Sequence, residues 1–244
     1  ARPLVLDPMI FIYSGFIGGS STDQGRSVAM DAAGNAYITG SVQSSQASFP
    51  ATVGPDLGYS GGTDVFVAKL NAAGTALLYC GYIGGTGTDI AYGIAVDASG
   101  NAVVAGEVLS TESSFPVVNG PDLSANGNHD AFVAKVNAAG TALIYSGFIG
   151  GSLDDYGRAV ALDAAGNAYV AGEAASDETT FPVSVGPDLT YNGGSRDTFV
   201  AKVKADGTGL DYCGYISGAQ DDYVYGIAVD GAGTPWLWVD RSKN

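Results

Sequence analysis

YSGFIGGSSTDQGRSVAMDAAGNAYITG (residues 13–40) returns 132 positions later as YSGFIGGSLDDYGRAVALDAAGNAYVAG (residues 145–172), identical at 21 of 28 positions. Between the copies lies YCGYIGGTGTDIAYGIAVDASGNAVVAG (79–106), and a fourth, more diverged version opens with YCGYISG at Tyr212. Tyr13, Tyr79, Tyr145 and Tyr212 step by 66, 66 and 67, and so do Asp31, Asp97, Asp163 and Asp230. The one extra residue lies between Asp188 and Asp197. A period this long means that one repeat is a supersecondary unit that cannot bury its faces alone. The repeats run near 13–78, 79–144, 145–211 and 212–240, inside one domain spanning 1–244.

Each unit reads as four short strands. In the first they are SVAMD (27–31), AYITGSV (36–42), DVFVAKL (64–70) and ALLYCGYIGG (76–85). Val, Ile, Tyr and Phe enrichment bounded by Gly, Asn and Asp favours strands, and no helical periodicity competes. The turns DAAGN and NAAGT fit short hairpin loops in which Gly34 or Gly74 takes a left-handed conformation that a Cβ would resist. Strands without polar alternation are packed on both faces. Four antiparallel strands repeated about an axis describe an all-β fold, a β-propeller built of four-stranded blades.

Counting blades leaves two arrangements open. PLVLD and MIFIYSGFIGG near the start can supply strands three and four of a blade, while YGIAVD and PWLWVD near the end match strands one and two. The two chain ends then complete a composite fourth blade. The alternative is an open fragment, or half, of a larger propeller. Repeats one and three share GR before the first strand, whereas repeats two and four share YGIAVD. That alternation reads as a two-blade unit duplicated once, and an even fragment of a larger ring, or a dimer completing one, would show it too.

Bulk composition limits the function. A chain of 244 residues, 46% of them hydrophobic, buries roughly 70 to 75% of the surface its unfolded form exposes, enough for a real core. The 37 glycines recur at fixed repeat positions, which makes them turn residues. Against 10 basic residues stand 25 acidic ones, and the net charge of −15 repels phosphate backbones, so nucleic acid is not an expected partner. No apolar run approaches the ~18 residues of a membrane span, and ARPLVLDP carries no secretion signal. Cys80 and Cys213 occupy one repeat position where Ser14 and Ser146 stand in the other copies, which marks a small buried residue rather than a disulfide.

The pattern represented by ALIYSGFIGGSLDDYGRAVALDAAGNAYVAGEA, then FP, GPDL and DTFVAKV, resembles the bacterial secreted β-propeller repeat known as SBBP, and the likeness covers nearly the whole chain. The opening RPLVLDP resembles the junction in such proteins between an upstream domain and the first repeat. The resemblance implies a secreted or cell-surface setting and repeat-mediated interaction, without a shared catalytic residue. In the last repeat TPWLWVD replaces NAYVAGE, and the repeats are fewer than the seven blades the family name implies.

Strand direction alternates, so the connections from strand four to one and from two to three emerge on one face, and the tight AAG turns on the other. The first face collects SSTDQG, TGTDIAYG, SLDDYG and AQDDYVYG with three long insertions. Asp23, Asp89, Asp155 and Asp222 recur there just before the innermost strands. Two readings stay open: a Ca²⁺ site, since hard cations want several oxygens, or four aspartates that each cap their own turn. The repeated Phe49-Pro50, Phe115-Pro116 and Phe181-Pro182 read as pins that hold each insertion to its blade. The less repetitive tips offer Tyr59, His129, Tyr191 and Arg196 as ligand-binding candidates, for a protein or glycan at the long-loop face. Lys69, Lys135 and Lys202 read as ion-pair partners of the Asp31 series.

One histidine gives a catalytic triad or a multi-histidine zinc site little material. Adjacent acids such as Asp154-Asp155 and Asp221-Asp222 are the kind of pair glycoside cleavage would draw on. The expected function is therefore a non-catalytic structural, adhesive or interaction module, with self-assembly into an extracellular array as one form of it. A carbohydrate- or peptide-binding propeller is the alternative, and a glycosidase or lyase the third reading. No cofactor is expected other than Ca²⁺.

Overall fold

A computed structural model describes residues 13–241. The first blade holds β1 (Asp23–Met30), β2 (Ala36–Val42), β3 (Asp64–Leu70) and β4 (Leu77–Ile83), antiparallel and in sequence order. The second holds β5 (Asp89–Val96), β6 (Ala102–Val108), β7 (Asp130–Val136) and β8 (Leu143–Ile149), and the third β9 (Asp155–Leu162), β10 (Ala168–Ala174), β11 (Asp197–Val203) and β12 (Leu210–Tyr215). β13 (Asp222–Val229) and β14 (Pro235–Arg241) form a two-stranded sheet. The all-β, blade-by-blade architecture is the one the repeat implies.

Local chemistry fixes each hairpin. Between β1 and β2 the Asp31 carboxylate accepts the backbone N–H of Ala33 and Asn35 at 3.0 and 2.9 Å, and Gly34 sits at φ 85°. Lys69 reaches the same carboxylate at 3.7 Å, Lys135 reaches Asp97 at 3.0 Å and Lys202 reaches Asp163 at 3.7 Å. The lysine column therefore serves the turns, as its repetition predicts.

The first strand of every blade begins four residues before SVAMD because it carries a β-bulge. In the pairing of β1 with β2, Gly25 faces Gly40 and Ser27 faces Thr39, which leaves Arg26 unpaired. The same shift leaves Tyr92, Arg158 and Tyr225 unpaired in β5, β9 and β13. A bulge turns one side chain out of the ladder. It also brings the strands so close that a Cβ on Gly106 would lie 1.9 Å from the Ile90 carbonyl oxygen.

The long insertions do not stay on the loop face. After crossing it, each folds down the free edge of the outermost strand of its own blade, where Cys80 and Tyr82 donate N–H bonds to Val53 and Asp56 at 2.7 and 2.9 Å. Val118 and Asp122 do the same for β8, and Ser184 and Asp188 for β12. An edge that could template pairing with another chain is thereby covered. Phe49, Phe115 and Phe181 wedge beneath, edge-on to Phe66, Phe132 and Phe199.

The core lies between blades. Tyr37, Val65, Val67, Tyr79 and Ile83 of the first blade pack on Ile94, Val104, Phe132 and Phe148 of the second. A second cluster repeats this between the second and third blades. The innermost strands stack in the order β1, β5, β9, β13. β13 and β1 make no comparable contact. Among the described residues β13 and β14 pair only with each other, and the strands that would complete a composite fourth blade lie outside the described residues. These are PLVLD and MIFI, and within MIFIYSGFIGG the described part, Tyr13–Gly19, forms no strand. Tyr13 nevertheless takes a definite seat: its ring lies over Gly74 just as those of Tyr79 and Tyr145 lie over Gly140 and Gly207. It occupies the place of a fourth strand from a preceding blade.

Candidate functional site

The Asp23 series forms the frame of the loop face. Asp89 accepts N–H bonds from Gly85 at 2.8 Å, Leu109 at 3.2 Å and Ser110 at 3.1 Å, and the Ser110 hydroxyl at 2.7 Å. Asp155 is held in the same way by Gly151 at 2.7 Å and by the Ser176 hydroxyl at 2.8 Å. Asp23 repeats the set with Gly19 and Ser44, both at 2.7 Å, and Asp222 accepts from Gly218 at 2.7 Å. Asp23, Asp89 and Asp155 therefore each clasp their incoming loop to the start of the insertion, while Asp222 holds its incoming loop. Among the described residues no three acidic, histidine or cysteine side chains come together as metal ligands. Asp154 accepts from the Asn128 amide at 3.1 Å while Asp155 is buried in its clasp, so the adjacent acids serve separate loops.

A second aspartate series adjoins the first. Asp64, Asp130 and Asp197 begin the third strands, fully or almost fully buried, and each keeps one carboxylate oxygen without a partner. Burial pushes Asp64 up to about 7 and Asp130 up to about 6. Asp155 is likewise raised by burial to about 6.

The four ligand-binding candidates separate into two groups. Tyr59 and Tyr191 close their own loop tips, donating to the carbonyls of Gly62 and Gly194, and their rings pack on Tyr82 and Tyr215 at 6.1 and 5.9 Å. His129 and Arg196 are brought together. The His129 ring centroid lies 5.5 Å from that of Tyr156, and the Arg196 guanidinium lies 4.4 Å from the Tyr156 centroid. Both residues immediately precede a third strand, and their carbonyls accept the N–H of Asp155 and Asp222 at the start of the next innermost strand. One atom thus staples blade to blade while the side chain stays on the loop face.

Around this pair lies a set of side chains that the sequence reading did not single out. Arg158, ejected by its bulge, sits 4.7 Å from the Tyr156 centroid and 4.8 Å from that of Tyr92. Arg26 lies over Tyr92 at 5.1 Å. Arg158 bonds Glu173 at 3.0 Å and reaches Glu107 at 3.5 Å, and Arg196 reaches Glu173 at 3.5 Å. Burial acts against the charge on Arg158, but Glu173 and Glu107 hold its pKa above the ordinary value. The result is a ladder of guanidinium and phenol groups along the innermost strands, with carboxylates behind it. Its sequence signal was the alternation of GR with YG. The bulge that turns those residues into one column is invisible without the pairing register.

The cysteines are free and fully buried, in the position that Ser146 fills in the second blade. Burial raises the Cys80 thiol to about 12, which keeps it protonated and inert.

No curated protein matches this chain. The family model of the SBBP beta-propeller repeat matches residues 12–43, a stretch that contains the fourth-strand seat of Tyr13, the Asp23 clasp, the Arg26 bulge and the β1–β2 hairpin. Residues 12–43 are thus similar to the SBBP beta-propeller repeat.

Proposed function

We propose that this chain is a non-catalytic propeller module of the bacterial secreted type, acting at the cell surface or outside the cell by binding a protein or glycan at its long-loop face. The observation that carries this reading is the group of Tyr156, His129 and Arg196. The second and third blades converge there on a side-chain set suited to recognition by stacking and charge. The buried aspartates support the non-catalytic part, because their oxygens are committed to clasping loops and to the interior. The resemblance to secreted repeats supports the location.

A carbohydrate- or peptide-binding role is the specific form of this reading that Tyr156 favours, since an aromatic face beside a guanidinium suits sugar rings and acidic side chains alike. The test is a panel of immobilised glycans and acidic peptides probed with the whole chain and with Arg196→Glu. Binding that Arg196→Glu abolishes is expected. A blank panel, or release of cleaved product from any member of it, overturns the proposal. Ca²⁺ is proposed only as an adjunct to the clasps, where it would raise the melting temperature and EDTA would lower it.

A further inference from the structure

We infer that the two open ends of the blade array are the two halves of one interface, and that a second copy of this chain fills both, head to tail, so that two chains close one ring. This goes beyond the loop-face reading and does not depend on it.

The arginine–tyrosine ladder is the first observation. Inside the chain it runs Arg26, Tyr92, Arg158, each guanidinium within 5.1 Å of the Tyr92 ring. The next bulge residue is Tyr225, 60% exposed. The ladder thus ends in a tyrosine on the last sheet and begins with an exposed arginine on the first. A junction that keeps the alternation must set an arginine beyond Tyr225 and a tyrosine ahead of Arg26. A second copy supplies both at once.

The apolar faces are the second. On β1, Val28 and Met30 are 65% and 66% exposed, and their counterparts on β5 pack against the preceding blade. On β14, Trp236 and Trp238 are 66% and 71% exposed, at the places where Tyr37 and Thr39 of β2 face the following blade. Each end therefore shows the side that the middle of the chain buries against a neighbouring blade, and the two sides are complementary. This is continuity of an interface the chain already makes twice.

The third is a groove of about 390 Å³ beside β14, lined by Val200, Tyr212, Ile216, Pro235 and Leu237. In the first blade the residues matching Val200, Tyr212 and Ile216 are Val67, Tyr79 and Ile83, and strands three and four of the next blade cover them. The groove is the seat of a third and fourth strand, and among the described residues none fills it. Tyr13–Gly19 has the fourth-strand sequence and already sits in the fourth-strand place against the first blade. In the two-chain ring, β13 and β14 of one copy and this segment of the other belong to the same composite blade. Six complete blades and two composite ones then close without a free end, as a heterologous contact must if it is not to grow into a fibre.

The test is the solution mass of the 244-residue chain by native mass spectrometry and light scattering at micromolar concentration. Twice 24.5 kDa is expected. Arg26→Glu and Tyr225→Ala should each give a single-chain mass with an unchanged far-ultraviolet spectrum. Mixing the two variants should restore a species with one chain of each, because one junction in that ring keeps both its Tyr225 and its Arg26. A wild-type chain that stays single overturns the inference and leaves the open faces to further repeats of a longer chain. Polymers of increasing mass overturn closure. A two-chain species indifferent to both substitutions, or a mixture that fails to restore it, overturns the head-to-tail junction.

Discussion

Ile94 and Val28 occupy the same place in successive repeats, yet Ile94 is 6% exposed and Val28 65%. Asp89 and Asp23 make the same hydrogen bonds, yet burial raises the pKa of Asp89, while the bonds from Ser44, Gly19 and Gln43 outweigh burial and lower that of Asp23. The repeats are alike in sequence and differ in what stands beside them. In a propeller the unit of stability is the junction between blades, so the interior of the array is a core and its ends are surfaces made of core residues. This is the near-neighbour energetics expected of stacked repeats.

Glycine substitutions break the comparison most sharply. A Cβ on Gly93 would meet the Val160 nitrogen at 3.0 Å and the Ala159 Cα at 3.1 Å, both backbone of β9, so Gly93→Ala presses the second blade against the third in the middle of the array. A Cβ on Gly226, in the end sheet, meets nothing within 4 Å. Gly93→Ala is expected to cost about 1 to 3 kcal/mol, and Gly226→Ala, at the matching place, to stay within about 0.5 kcal/mol. Denaturant melts of the two variants decide it. Equal effects would mean that the junctions do not dominate.

The period, the turns and the lysine–aspartate pairs were legible in the sequence because each is a local device repeated at fixed spacing: Gly34 is required by a positive φ, and Lys69 by the turn carboxylate it meets. Phe49 and its counterparts were legible as pins for the same reason. The starts of the first strands were not, because a bulge hides in an ordinary run such as DQGRSV. The route of the insertions along the outer strands was hidden too, since Val53 and Asp56 pair there through their backbones. Arg158 and Tyr92 were visible as an alternation, but not as a stack. A stack depends on register between blades, which no single repeat encodes.

Acidity tests the same contrast with a smaller effect. Asp64, Asp130 and Asp155 are raised by burial, from an ordinary 3.8 to about 7, about 6 and about 6. Between pH about 4 and about 7 the folded chain holds protons that the unfolded chain has released, so stability falls as pH rises through that window. The turn aspartates act in the opposite sense. Hydrogen bonds led by that of the Asn35 side chain hold Asp31 down to about 2, so its contribution is lost as pH falls below about 4. The melting temperature should peak near pH 4 and drop by several degrees towards neutrality. In Asp64→Asn with Asp130→Asn the upper limb should flatten. A melting temperature that climbs from pH 4 to 7 would show that these interior carboxylates are not the ones that titrate.

The smallest expected effect concerns one atom in equivalent junctions. Cys80, Ser146 and Cys213 are all fully buried, and their backbones pair with the insertion in the same way, through Val53, Val118 and Ser184. Only the side chain differs. The Ser146 hydroxyl has no hydrogen-bond partner, and a buried hydroxyl left unpaired costs about 1 to 3 kcal/mol. A thiol is a weaker donor and behaves as a small hydrophobe, and the fold already accommodates it twice at this position. Ser146→Cys should therefore raise the melting temperature by about 2 to 4 °C, on the scale of about 1 kcal/mol for a chain of this size, and Cys80→Ser should lower it by a similar amount. Calorimetry under reducing conditions separates packing from oxidation. If Ser146→Cys is destabilising, the second blade surrounds that position differently from its neighbours, and the equivalence of the junctions fails at the level of single side chains.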